Sequence, residues 1–324
     1  MADGPLPNLL AGDPDEVLIA GTSRVRISRG GHVSEGASPF TCEAAISCWV
    51  DRVCSAPGGD AKFPLKGAFG AYSVRAVGGA SGMVVSLRRA SSQGPATLES
   101  LVRGGVLSHG IATLLSACVV SRLNVLVCAG PGSNAEALLA ALMACAPPTE
   151  LQVVLGNAQL DAGLFQGTVV LLRRDDFGRD AIGSALSLGP DRIGVDELRW
   201  DEAAAITGVV SRSMSYILGV RANTAPLGVG LLESMLTKSA PPQVARQLLM
   251  GSVDVVLTAQ LFADAVTRVT ALSEPTLDDA GVLSAQDIFA LVPGTRTWKY
   301  SGVTPRCFED ITRRGFPLDS SVFT

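Results

Sequence analysis

Histidine is almost missing from this chain: only His32 and His109 occur in 324 residues, so a zinc site is not expected and no metal is assigned. Long basic runs are missing too. With a net charge of −4 and a pI near 5.3, the sequence has no sign of the basic patch that a nucleic-acid partner would require. The opening Met-Ala-Asp-Gly-Pro-Leu-Pro has neither the charged nor the apolar region of a signal peptide. The most apolar windows, 111–130 and 203–220, are broken by Arg122 with Asn124 and by Arg212, so neither should cross a bilayer unaided. Seven cysteines, an odd number in mostly apolar surroundings, read as reduced core thiols of a cytoplasmic protein. Cys42, Cys48 and Cys54 are evenly spaced, but six residues per step turn a helix through about 600° and leave them on different faces.

What the chain does have is core material. Hydrophobic residues make up 47% of it, enough for two domains of ordinary size. Its organising stretch runs from Arg122 to Leu142. Asn124 to Ala129 suit a buried strand, Gly130-Pro131-Gly132 a tight turn, and Ala135 to Cys145 an Ala/Leu-rich helix. A strand, a glycine-rich turn and a helix opening off it form the architecture of a phosphate-binding P-loop. An unrelated strand-turn-helix would carry the same three features.

The pattern GxxxxGK[ST] fails here residue by residue, since its four fixed positions are Ala129, Asn134, Ala135 and Glu136. Losing the lysine and the magnesium-binding hydroxyl forfeits charge-assisted contacts of about 1.5 to 3 kcal/mol each. Glu136 adds a carboxylate, and like charges about 4 Å apart repel by about 4 kcal/mol at an effective dielectric near 20. Ser133-Asn134-Ala135-Glu136 also fits the capping box S-x-x-E, which would let this helix satisfy its own first amides, and Pro131 removes one further donor. The candidate nucleotide-binding residues are therefore Gly130, Gly132, Ser133, Asn134, Ala135 and Glu136, in degenerate form.

Before this stretch, Val17 to Ile19 and Arg24 to Ile27 predict a hairpin around Gly21-Thr22-Ser23, and Ser38-Pro39 opens a helix to about Val53. Ala71 to Val77 and Met83 to Leu87 predict two more strands, completing a small α+β domain over 1–92. Ser91 to Pro95 has linker chemistry. Helices are expected over 97–101 and 108–120, and after the central stretch strands near 151–155 and 169–172, a helix over 180–186 and a strand over 192–195. A strand at 216–220, helices at 227–238 and 242–250, a closing pair of strands at 253–258 and 266–272 and an amphipathic helix at 303–314 follow. Such alternation predicts a mainly parallel sheet covered on both faces. Its ligand crevice would lie outside the strand C-termini, where Gly130 to Glu136 meet Asp196-Glu197. That acidic pair suits magnesium or water positioning, and equally an acidic helix start complementing a macrodipole.

The order of these segments resembles the secretion ATPases of type II, type IV and tight-adherence pilus systems, nearest the CpaF-type pilus-assembly ATPase. The likeness covers about residues 13–324. It is carried by 97–108, similar to the family's interdomain segment, by Ser121 to Val127 before the P-loop, by Leu186 to Arg199, similar to the Walker B region, and by the tail from Gly302 to Pro317. The resemblance implies an α/β fold in which the small N-terminal α+β domain is followed, over 97–324, by a RecA-like P-loop NTPase-type domain. It also implies hexamers, as a homo-oligomer or with an active secretion ATPase, beneath an inner-membrane platform protein, and ATP with magnesium as the family's ligands. The residues themselves assign no cofactor.

Departures fall where the chemistry should be. The acidic box is reduced to Gly156-Asn157, the histidine box reads Arg221-Ala222-Asn223, and a downstream family arginine matches Leu231. Glu197 remains as an idle Walker B-like catalytic remnant, followed by Arg199. Arg75, Arg88 and Arg89 match small-domain positions that face nucleotide in such ATPases, and with Arg199 and Arg221 they are the candidate phosphate-facing cations; solvated strand-end charges would look the same. The expectation is a pseudo-ATPase, structural or regulatory. Its alternatives are a weak ATPase using Glu197 as base and a nucleotide-binding module without hydrolysis.

Overall fold

The computed structural model describes residues 6–29, 32–54, 65–79, 82–89, 96–156, 164–165, 169–174, 180–210, 214–264, 266–278, 281–316, 318 and 322. The Ser91–Pro95 linker, Asn157 of the reduced acidic box and Arg212 lie outside the described residues. The chain divides into two compact units, one comprising 1–92 with 263–265 and the other 93–262 with 266–324.

The first unit is an antiparallel sheet of β1 (Glu16–Ala20), β2 (Arg24–Arg29), β3 (His32–Gly36), β4 (Leu65–Phe69), β5 (Tyr72–Gly79) and β6 (Gly82–Arg89), in the order β3-β2-β1-β6-β5-β4. Val17, Ile19, Val25, Val74, Ala76, Val85 and Leu87 alternate inward, as a half-buried sheet demands, and pack with Ile46, Trp49 and Val50 of α1 (Glu43–Val53). The helix starts later than Ser38-Pro39 suggests. Ser38 instead donates its hydroxyl to the Gly21 carbonyl and accepts the Phe40 amide, which fixes a loop.

The second unit opens with α2 (Leu98–Arg103) and α3 (His109–Val120), whose first turns are capped by the hydroxyls of Thr97 and Ser108. Next come β7 (Val125–Ala129), α4 (Ala135–Met143), β8 (Gln152–Gly156), β9 (Val169–Arg173), α5 (Ala181–Ser187), β10 (Arg192–Val195), α6 (Ala203–Val210), β11 (Ser215–Val220), α7 (Ala225–Leu236) and α8 (Pro242–Ser252). The chain then adds β12 (Val255–Leu261), β13 (Thr267–Leu277), β14 (Leu283–Leu291), β15 (Trp298–Tyr300) and α9 (Arg306–Arg313).

Among the described residues the sheet has nine strands, ordered β15-β14-β13-β12-β7-β11-β10-β8-β9. From β12 to β9 every pairing is parallel, and β13 to β15 continue as an antiparallel meander. Strands β7, β8, β10 and β11 are buried at every residue, so their apolar runs are continuous instead of alternating. Two core clusters, one per sheet face, follow. The expected closing pair of strands is therefore only half of a four-strand edge. Leu283-Ser-Ala-Gln-Asp-Ile-Phe-Ala-Leu291 interrupts its apolar residues with polar ones in no clean period of two, which hides β14 from a pattern reading.

Candidate functional site

The C-terminal ends of β7, β10 and β11 meet in one crevice. Gly130, Gly132, Ser133, Ala135, Asp196, Glu197 and Arg221 line a cavity of about 50 Å³ there. That is room for one or two waters, against the about 300–1,000 Å³ of an ordinary ligand pocket. A much larger groove of about 570 Å³, lined by Leu98, Val102, Val120, Phe316 and Leu318 among others, contains none of the candidate site residues.

Five of the amides at this turn, those of Gly130, Ser133, Asn134, Ala135 and Ala137, are engaged internally. Gly130 N–H donates to the Ala259 carbonyl at 2.9 Å, Ser133 N–H to the Gly130 carbonyl at 3.2 Å and Ala135 N–H to the Ser133 carbonyl at 3.1 Å. Asn134 N–H donates to the Thr267 hydroxyl at 3.0 Å, and Ala137 N–H to Asn134 Oδ1 at 3.1 Å. Pro131 has no N–H to offer. Asn134 is the cap residue of α4, which corrects the expected Ser133/Glu136 capping box by one position. The Ala137 amide goes to Asn134 while the Ser133 hydroxyl is directed to the Gly130 carbonyl at 2.6 Å, and Glu136 falls at the second helical position, where the reciprocal bond back to the cap is out of register. Glu136 is half-buried in the first turn and is not among the cavity walls, so the negative charge facing the crevice comes from Asp196 and Glu197.

Both of those carboxylates are answered by arginine. Arg221 grips Glu197 in a fork, Nε to Oε1 at 3.0 Å and Nη2 to Oε2 at 2.7 Å. This pair holds the Glu197 carboxyl below the usual carboxylate range and raises Arg221 in turn. Arg221 thus points to Glu197 and not to a phosphate. Asp196 and Glu202 are bound by Arg174, a residue that the sequence pattern did not single out. Its Nη1 lies 2.5 Å from Asp196 Oδ1, its Nε 2.6 Å from Glu202 Oε1, and its Nη2 2.6 Å from the Glu197 carbonyl. The guanidinium is almost wholly buried, and its two carboxylates raise its pKa against the larger desolvation effect of burial. The signal in the sequence was only an Arg173-Arg174 pair closing an apolar strand.

Backbone geometry fixes this arrangement. At Gly219 on β11 an added Cβ would stand 1.9 Å from the Asp196 carbonyl, so any side chain there would push the acidic turn away. At Gly130 an added Cβ would meet Asn223 Oδ1 at 2.6 Å, which seats the Arg221-Ala222-Asn223 segment against the turn. Arg199 is exposed and its amide donates to Glu202 Oε2 at 3.1 Å, tying the helical turn after Glu197 to the same carboxylate. Leu231, at the family arginine's position, is partly buried against the core.

Arg75, Arg88 and Arg89 belong to the first unit. Strand register puts Arg75 and Arg88 on one face of its sheet and Arg89, opposite Tyr72, on the other. Arg88 pairs with Glu16 at 3.2 Å, and Arg89 lies 3.8 Å from both Asp13 and Asp15. They therefore form no single cationic face.

No family model matches the chain. In sequence it is 30% identical over 182 residues to a probable conjugal transfer protein TrbB of Sinorhizobium fredii, covering 53% of this chain and 54% of that one. The match spans about half the length of the curated relative. In fold it is similar to the Legionella pneumophila ATPase DotB, with a TM-score of 0.55 at 10% identity over 83% of this chain and 78% of that one. It is similar as well to the pilus retraction motor PilT solved with ADP, with a TM-score of 0.60 at 12% identity over 91% and 83% of the two chains. The chain thus has the mixed α/β fold of secretion and pilus ATPases and sequence similarity to conjugal transfer proteins. No described helix is long and apolar enough to cross a membrane.

Proposed function

We propose that this chain is a pseudo-ATPase: a degenerate homologue of the secretion and pilus-assembly motors, serving as a structural or regulatory subunit of a type II, type IV or Tad-like machine without hydrolysing nucleotide. One observation carries the reading. The Walker B-like Glu197 has both carboxylate oxygens bound by Arg221, so while that fork persists the carboxylate is aimed at a guanidinium and is a weaker base toward an attacking water. The internally engaged amides of Gly130, Ser133, Asn134, Ala135 and Ala137 and the alanine at the lysine position support the same reading, because phosphoryl transfer rests almost entirely on positioned charge. In this reading the domains at 1–92 and 97–324 serve assembly and not turnover. The partner that follows is an active paralogue or a second copy in a ring, with an inner-membrane platform protein as the anchor.

A phosphate-release assay with ATP tests the proposal. Turnover at background in the wild type, together with co-purification of an active paralogue, is expected. Turnover that vanishes in Glu197→Gln would overturn it in favour of a weak ATPase. A thermal shift at millimolar ATP without turnover would favour the nucleotide-binding module.

A further inference from the structure

The fold's motors work with magnesium at the nucleotide. The residues of this crevice do not fit that ion. Asp196 of its wall converges with the Glu202 carboxylate and the Glu197 carbonyl within 2.5–2.6 Å of the Arg174 guanidinium, neither Glu202 nor Arg174 being a wall residue, and a magnesium ion needing oxygens at about 2.0–2.1 Å would have to expel that guanidinium. The other crevice carboxylate, Glu197, is taken by Arg221. The oxygen donors that a cation would use are thus assembled, and a cation already sits among them.

We infer that Arg174 is a built-in substitute for the divalent ion, a positioning residue that holds the acidic turn and in doing so excludes the metal. The inference rests on the pseudo-ATPase reading of the crevice. Its physical basis is charge balance. Asp196, Glu202 and Arg174 are each buried to within a few per cent, and two carboxylates that deep would not both ionise without a cation between them. Arg174 supplies one positive charge with donors in a fixed planar fork, whereas a divalent ion would supply two charges and take up further waters. Occupancy by one precludes the other. The residue directly follows β9, so the strand that closes one side of the parallel sheet also delivers the charge.

The test is a gain of metal binding in the full chain, followed by Mn²⁺ relaxation and by calorimetry. Wild type should take up no Mn²⁺ in the crevice. Arg174→Ala should bind it at least about tenfold more tightly than wild type, within the about 5- to 150-fold span of coupled sites. Asp196→Asn with Glu202→Gln added to Arg174→Ala should abolish that gain. A variant with a merely structural defect would show no such site. If Arg174→Ala unfolds, refolding by Mn²⁺ or by added methylguanidinium supports the inference, and failure of both to restore it overturns it. It is also overturned if wild type binds Mn²⁺ as well as the variant, or if a folded Arg174→Ala binds none. ATP hydrolysis by the wild type would sink the proposed function, whereas an absence of metal gain in a chain that is inert toward ATP would sink only the role of Arg174.

Discussion

At the scale of single residues, the crevice is governed by where each arginine spends its charge. The Glu197–Arg221 fork is well formed but more than a third exposed on the arginine side, so its net worth is that of a surface pair, about 1 kcal/mol or less. Arg221→Ala should therefore leave the protein folded, with a urea midpoint close to wild type. The pH dependence has a definite sign. Because the Glu197 carboxyl is held below its unfolded value of about 4.3, the pair's contribution is fully present above that pH and is lost as pH falls through the lower folded value. A carboxyl-carbon NMR titration of Glu197 should thus show ionisation down to below the ordinary glutamate range in wild type, and a midpoint displaced upward in Arg221→Ala. An unchanged midpoint would mean that the fork does not exist in solution. Arg192 and Glu150 behave differently. They are buried almost completely and joined at 3.0 Å, with a second arginine bond to the Val119 carbonyl at 2.8 Å. Removing one partner leaves a buried unpaired charge, so Glu150→Ala should cost about 3–5 kcal/mol in chemical denaturation.

At the scale of elements, legibility follows burial. Strands β7, β8, β10 and β11, submerged on both faces, are plain from their apolar runs, and the Ser108 cap announces α3. The start of α4 was harder. The S-x-x-E spacing marks Ser133, but spacing cannot reveal that the Ala137 amide goes to Asn134 Oδ1 while the Ser133 hydroxyl turns to the Gly130 carbonyl. Strand β14 and helix α6 were missed for a related reason. The first mixes polar residues into its register, and the second is a short apolar Ala/Val run without a period of its own. Arg174 was invisible because its partners lie 22 and 28 residues further along the chain, beyond any local rule. The corrected cap has a measurable consequence. Asn134→Ala should destabilise the protein by about 1 kcal/mol, in the range of about 0.5–2 for lost caps, and Ser133→Ala by clearly less in the same urea titration. The reverse order would restore the Ser133/Glu136 box.

At the scale of the whole molecule, the sheet and helices are those of the secretion and pilus ATPases, and the proposed loss of triphosphate binding rests on several separate features. Absence of the lysine is one, but the amides engaged with Ala259, Thr267 and Asn134 are a second, and the two arginine-held carboxylates are a third. Energies of these closures come from different atoms, so repairing one does not relieve the others. Ala135→Lys combined with Glu136→Thr rewrites two positions toward the P-loop pattern, yet adds no room to a cavity of about 50 Å³ whose wall includes Ala135 and leaves Glu197 in its fork. That double variant should show phosphate release at background and no saturable ATP binding by calorimetry up to about millimolar, the weak end of specific affinity. Adding Arg221→Ala should free Glu197 without freeing the amides, and should still give no turnover. If the double variant alone hydrolyses ATP, the missing lysine was the whole of the defect, and the closed amides and paired carboxylates are incidental to it.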